Sequence, residues 1–144
     1  MIGILIVAHG SLGESLIQCA THVMGSRPPN LEQFGIEKND DPCAVAELLE
    51  KAVKELDEGD GVLILSDIYG ATPCNIVGKV LKPNYVEGVA GVNLPMLVRA
   101  LNYRNGDLNK LAEKALSGGQ EGVFHFTEEA CSTANKSSAS KDAK

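Results

Sequence analysis

The sequence predicts a single-domain α/β fold: an open sandwich with a mostly parallel central sheet flanked by helices. Two short runs, ILIVA at 4–8 and GVLILS at 61–66, are almost wholly apolar and stop at a turn or a polar residue. Strands covered on both faces read this way. Segments with helical apolar spacing lie between the runs, and Asp41-Pro42 and Thr72-Pro73 pair a capping residue with a first-turn proline. Strands alternating with helices imply a parallel sheet.

Taken in order, 2–7 is a strand and 11–24 a helix, with Leu12, Leu16, Cys19, Ala20 and Val23 on one face and Gly25, Pro28 and Pro29 ending it. Residues 31–37 form a weaker strand interrupted by Gly35. A helix starts at Asp41 and runs to about Leu56, and the third strand, 61–66, ends at Asp67. Thr72 and Pro73 open a helix through Val80, 86–92 is the fourth strand, and helices follow over 94–103 and 107–116. The segment GVFHF at 122–126 alternates as a last short strand would at a sheet edge or subunit contact. Residues 1–128 are read as the domain, and 129–144 as a polar, disordered tail.

The chain has 144 residues, 44% hydrophobic and 22% charged, which suits one globular core. A net charge of -6 and the lack of a basic stripe argue against nucleic-acid binding. The opening apolar run is too short to span a bilayer and lacks the flanks of a signal peptide, so a cytoplasmic protein with no membrane insertion is expected. Cys19, Cys43, Cys74 and Cys131 show no metal or redox spacing and read as reduced thiols packed as small hydrophobes. His22 and His125 have no acidic partner at a periodic distance and read as packing or solvent-facing residues. No metal or cofactor is expected. Asp57, Glu58 and Asp60 read as a solvated helix end.

Ligands of parallel sheets bind beyond the carboxyl ends of the strands. Those ends carry His9 and Gly10, then the stretch from Asp67 to Asn75, then Asn93 and Pro95. If the first and third strands are neighbours, Asp67 can grip one nitrogen of His9 and leave the other free as a nucleophile. Amide groups at the two helix starts favour an anion, Gly70 permits close backbone approach, and Thr72 offers a hydroxyl. Gly10, Ser11, Gly70, Ala71, Thr72 and Asn75 therefore form the candidate phosphate seat around His9 and Asp67. With no GxxxxGK[ST] loop or complete GxGxxG, this reads as a phosphate carrier rather than a nucleotide user. The bland alternative is that His9 and Asp67 satisfy turns and Thr72 only caps a helix.

The segments ILIVAHGSLGESL, GVLILSDIYGATPCNIV and VAGVNLPMLVRAL resemble, in order and spacing, the IIA domain of the mannose-type (mannose/fructose/sorbose) phosphoenolpyruvate-dependent phosphotransferase system. The resemblance covers about residues 2 to 126. It implies an α/β sandwich that forms a homodimer by exchanging a C-terminal strand, a position GVFHF matches. It also implies that His9 accepts a phosphoryl group from the phosphocarrier protein HPr and passes it to a IIB protein. Asp67 would orient the ring, and Thr72 would stand near the phosphate.

Two departures bear on the carry-over. Many members are fused to a IIB domain through an Ala/Pro-rich linker, whereas here a separate IIB protein is expected, with peripheral association with a sugar permease. The stretch IYGAT differs from the WGGS form of fused members. A second reading is a regulatory module whose His9 phosphorylation state is sensed by a partner. A third, the phosphotransfer subunit of dihydroxyacetone kinase, shares the fold, but its usual glycine- and acid-rich segment is not seen.

Overall fold

The computed structural model describes residues 1–67 and 72–128, and for 72–74 the backbone alone. The elements run β1 (Gly3–His9), α1 (Leu12–Met24), β2 (Leu31–Ile36), α2 (Pro42–Leu56), β3 (Val62–Ser66), α3 (Thr72–Gly78), β4 (Val86–Ala90), α4 (Leu94–Asn102) and α5 (Leu108–Glu121). The four strands form one parallel sheet in the order β2-β1-β3-β4. The chain leaves β1 toward β2 on one side and returns to β3 on the other. The carboxyl ends of β1 and β3 therefore flank the point where strand order reverses, the usual place for a site in such sheets.

β1 and β3 lack polar alternation because both of their faces are covered. Ile4, Ile6 and Ala8 pack with Ile17 and Ala20 of α1, Leu97 and Ala100 of α4, and Leu111 and Ala115 of α5. On the opposite face Leu5 and Val7 pack with Leu49 and Val53 of α2 and Ile76 and Val77 of α3. Each fully buried Ile, Leu or Val contributes about 1.5–3 kcal/mol of transfer free energy. The one polar side chain in the apolar runs 4–8 and 61–66, Ser66, stands at the carboxyl end of β3.

Local signals set the helix ends. Gly25 takes the left-handed conformation (φ 90°) and its N–H closes α1 on the Thr21 carbonyl at 2.9 Å. Asp41 accepts a hydrogen bond from the Cys43 N–H at 3.3 Å with Pro42 in the first turn, and Asp107 caps α5 through the Lys110 N–H at 3.1 Å. At the amino edge of the sheet Arg104, 3% exposed, donates to the carbonyls of Ile2, Pro29 and Asn30, and its own carbonyl accepts from the Ile2 N–H. Burial lowers the guanidinium pKa, with the negative charge of Glu58 opposing that shift.

Several sequence expectations are corrected. α5 continues to Glu121 rather than stopping at 116, because Gly118 and Gly119 lie against α4: a Cβ on Gly118 would sit 2.6 Å from the Arg99 Cβ. Gly118 and Gly119 are close-packing positions within α5. Residues 123–127 pair with no strand among the described residues, where Val123, Phe124 and Phe126 are exposed. α3 stops at Gly78 and β4 at Ala90, both two residues early. Cys19 and Cys43 are free but exposed, not buried, since they lie off the inward faces of α1 and α2. The 57–60 run does more than meet solvent, because the Asp57 carboxylate accepts from the N–H groups of Gly59 (2.8 Å) and Gly61 (3.1 Å). Cys131 and the tail from 129 lie outside the described residues, as does the side chain of Cys74.

Candidate functional site

His9 is the last residue of β1, and Asp67 follows the last residue of β3. Parallel pairing sets Val7 beside Ser66, which brings the two side chains together just beyond the ladder. His9 Nδ1 lies 2.7 Å from Asp67 Oδ2, and the His9 main-chain N–H donates to the same oxygen at 3.0 Å. The Asp67 side chain is 8% exposed and that of His9 is 51% exposed. A carboxylate only accepts, so Nδ1 carries the shared proton in the neutral ring. The lone pair of Nε2 is then left on the half-exposed ring.

The turn after His9 is shaped by two glycines. Gly10 has φ 52° and hydrogen-bonds through its N–H to the Ile36 carbonyl at 3.1 Å, which holds the turn against the end of β2. Gly35 makes room for it, because a Cβ there would lie 2.5 Å from the Gly10 carbonyl oxygen. In the sequence alone Gly35 reads only as an interruption of the second strand. Its signal, a glycine near the carboxyl end of a strand, had meaning only once β2 was known to lie beside β1.

Ser11 is the N-cap of α1 but its side chain makes no capping bond, and the first intrahelical bond runs from the Ser15 N–H to the Ser11 carbonyl at 3.1 Å. The amides ahead of Ser15 are thus unused by the helix, a few residues from His9. Gly13 is buried against Gln33. Gly10 and Ser11 join His9 and Asp67 at one sheet edge as expected. Gly70 and Ala71 lie outside the described residues, as does the side chain of Thr72; Asn75 is exposed on α3. Asn93 is committed to the fold: its Oδ1 accepts from the Met96 N–H at 2.9 Å, and its Nδ2 donates to the Gly119 carbonyl at 3.1 Å.

Among the described residues no group of three His, Cys, Asp or Glu side chains is placed to hold a metal ion. A groove bordered by Val23, Met24, Val98, Tyr103 and Lys114 lies at the far end of α1 and includes neither His9 nor Asp67.

Comparison with known proteins fits this geometry. Residues 3–116 match the family model described as PTS system fructose IIA component. The PTS system mannose-specific EIIAB component of Escherichia coli K12 is 32% identical over 125 residues, covering 85% of this chain and 38% of that protein. The chain thus spans about two fifths of that longer relative. The PTS system fructose-specific EIIA component of Bacillus subtilis is 30% identical over 105 residues, 72% of this chain and 71% of the relative. In structure, the phosphotransferase system component EIIA from Streptococcus agalactiae superposes with a TM-score of 0.77 at 24% identity, over 88% of this chain and 98% of that one. With a family model spanning most of its length and a fold shared with a solved member, this chain belongs to the PTS IIA component family of the mannose/fructose type.

Proposed function

We infer that the protein is a phosphohistidine carrier in which His9 takes a phosphoryl group from phosphorylated HPr and hands it to a IIB partner. The observation that carries this reading is the half-exposed ring of His9 held at Nδ1 by nearly buried Asp67. Nε2 attacks phosphorus in line, forming a new N–P bond as the bond to the donor's nitrogen breaks, and the donor ring keeps that electron pair. With Nδ1 protonated, the phosphorylated ring is cationic, and Asp67 offsets the charge as it develops. Amides at the start of α1 face the phosphoryl oxygens, with Gly70, Ala71, Thr72 and Asn75 supplying the other side of the seat. Transfer onward reverses these steps.

A half-exposed nucleophile suits a donor that is itself a protein side chain. Partners are thus HPr and IIB, in the cytoplasm, with peripheral association with a sugar permease; no helix among the described residues is long and apolar enough to cross a membrane. The exposed apolar side chains of Val123, Phe124 and Phe126, together with the outer edge of β4, which borders no further named strand among the described residues, support a homodimer in which 122–126 pairs with the other copy. Relay is preferred to the regulatory reading because the Bacillus subtilis relative, matched over 71% of its own length, is named a fructose-specific EIIA component.

Incubation with phosphoenolpyruvate, enzyme I and HPr tests the assignment. Acid-labile phosphate should map to His9 and drain when a competent IIB is added. Labelling that persists in His9→Ala would overturn it.

A further inference from the structure

We propose that Asn105 is a site of spontaneous modification, where deamidation through a cyclic imide rewrites the turn between α4 and α5. Among the chain's asparagines only Asn105 precedes a glycine. Both residues are exposed and lie outside any helix or strand. Among the described residues, neither the Asn105 carboxamide nor the Gly106 N–H makes a hydrogen bond. A Cβ built on Gly106 meets nothing within 4 Å. Nothing therefore holds the carboxamide away from the next amide nitrogen, and no side chain shields that nitrogen.

The chemistry needs only water. The Gly106 nitrogen loses its proton and bonds to Asn105 Cγ, the Cγ–NH2 bond breaks, and ammonia leaves. One water then opens the ring. Addition at Cγ breaks its bond to nitrogen and gives aspartate with the main chain intact. Addition at the main-chain carbonyl breaks the other bond and gives isoaspartate, whose peptide now runs through Cβ and Cγ.

The two products differ in their effect because of where the turn is anchored. On one side Arg104 is fixed by its own carbonyl, which accepts from the Ile2 N–H at 3.1 Å, and by its guanidinium on the carbonyls of Ile2, Pro29 and Asn30. On the other side Asp107 caps α5. Aspartate at 105 adds a negative charge ahead of a helix N-terminus, which that end accommodates. Isoaspartate instead lengthens the main chain between two fixed points, so either the Arg104 clamp or the α5 cap must give. This inference is independent of the reading of His9.

The full chain is incubated in mildly alkaline buffer at physiological temperature, digested in acid, and mapped by fragmentation that separates aspartate from isoaspartate. Modification is expected at Asn105 before any other asparagine. It should be several-fold slower in Gly106→Ala, a change that the open space and the ordinary φ tolerate. The isoaspartate-bearing fraction should melt below the unaged protein, whereas Asn105→Asp should melt with it. First modification at Asn39 or Asn109, an unchanged rate in Gly106→Ala, or coincident melting of the aged and unaged fractions would each overturn the proposal.

Discussion

One oxygen of Asp67 serves His9 twice, accepting from the ring at 2.7 Å and from the main chain at 3.0 Å. The nearly buried carboxylate thus fixes both the tautomer and the end of β1. Asp67→Asn keeps an acceptor for the main-chain N–H but loses the charge that favours a protonated Nδ1. Phosphoryl transfer is expected to fall about 10- to 100-fold, with a stability loss of about 1 kcal/mol. Asp67→Ala also strands the main-chain donor, and its loss should reach about 1–3 kcal/mol. Transfer kinetics beside urea melts would separate the two effects.

The glycines of the turn can be tested apart from the chemistry. Gly10→Ala forces a side chain into the left-handed region at φ 52°, at a cost of roughly 1–2 kcal/mol. In Gly35→Ala the added methyl meets a main-chain oxygen at 2.5 Å, so the turn itself must move. Overpacking of this kind costs about 1–3 kcal/mol, and phosphorylation of His9 should slow in both variants. A Gly35→Ala protein with unaltered stability and rate would show that the turn does not depend on this contact.

At the α4–α5 contact two effects of opposite sign compete. Alanine is favoured over glycine in a helix by about 1 kcal/mol, yet the methyl of Gly118→Ala would stand 2.6 Å from the Arg99 Cβ, which cannot swing aside. Overpacking at about 1–3 kcal/mol outweighs the propensity gain. Gly119→Ala meets chiefly the mobile Met96 Cε at 2.7 Å and should be the milder change. The order of the two melting temperatures decides the point.

Arg104→Met keeps the aliphatic stem but removes the side-chain donor from the Ile2 and Pro29 carbonyls, while the Asn30 carbonyl keeps the Ile4 N–H. A loss of about 3 kcal/mol is expected from charge-assisted bonds removed at a buried site. Because the clamp lies at the amino edge of the sheet, the rate of His9 phosphorylation per folded molecule should stay close to the parent's. Denaturant titration and transfer assays on the same sample would check both.

The sheet was legible because β1 and β3 are apolar on both faces, and the Asp41 and Asp107 starts because capping chemistry is local. His9 and Asp67 could be proposed as partners from their places at strand ends, but their meeting depended on β1 and β3 being neighbours. Two glycines carry more than the linear pattern suggests. Gly35 and Gly118 look like breaks in a linear pattern, yet each answers to a residue distant in sequence, Gly10 and Arg99. The segment at 122–126 carries a strand-like alternation, but alternation alone names no ladder partner, and none lies among the described residues. Arg104 gave no sequence signal at all, since its acceptors are main-chain carbonyls whose positions follow only from the fold.

With Asp67 holding Nδ1, Nε2 of His9 is the atom that receives the phosphoryl group. Long-range nitrogen–proton correlation spectra of the enzymatically phosphorylated, nitrogen-labelled protein measure this directly. Phosphorus is expected on Nε2 of His9 with Nδ1 still protonated; phosphorus on Nδ1, or on any other residue, would contradict the proposed role of Asp67.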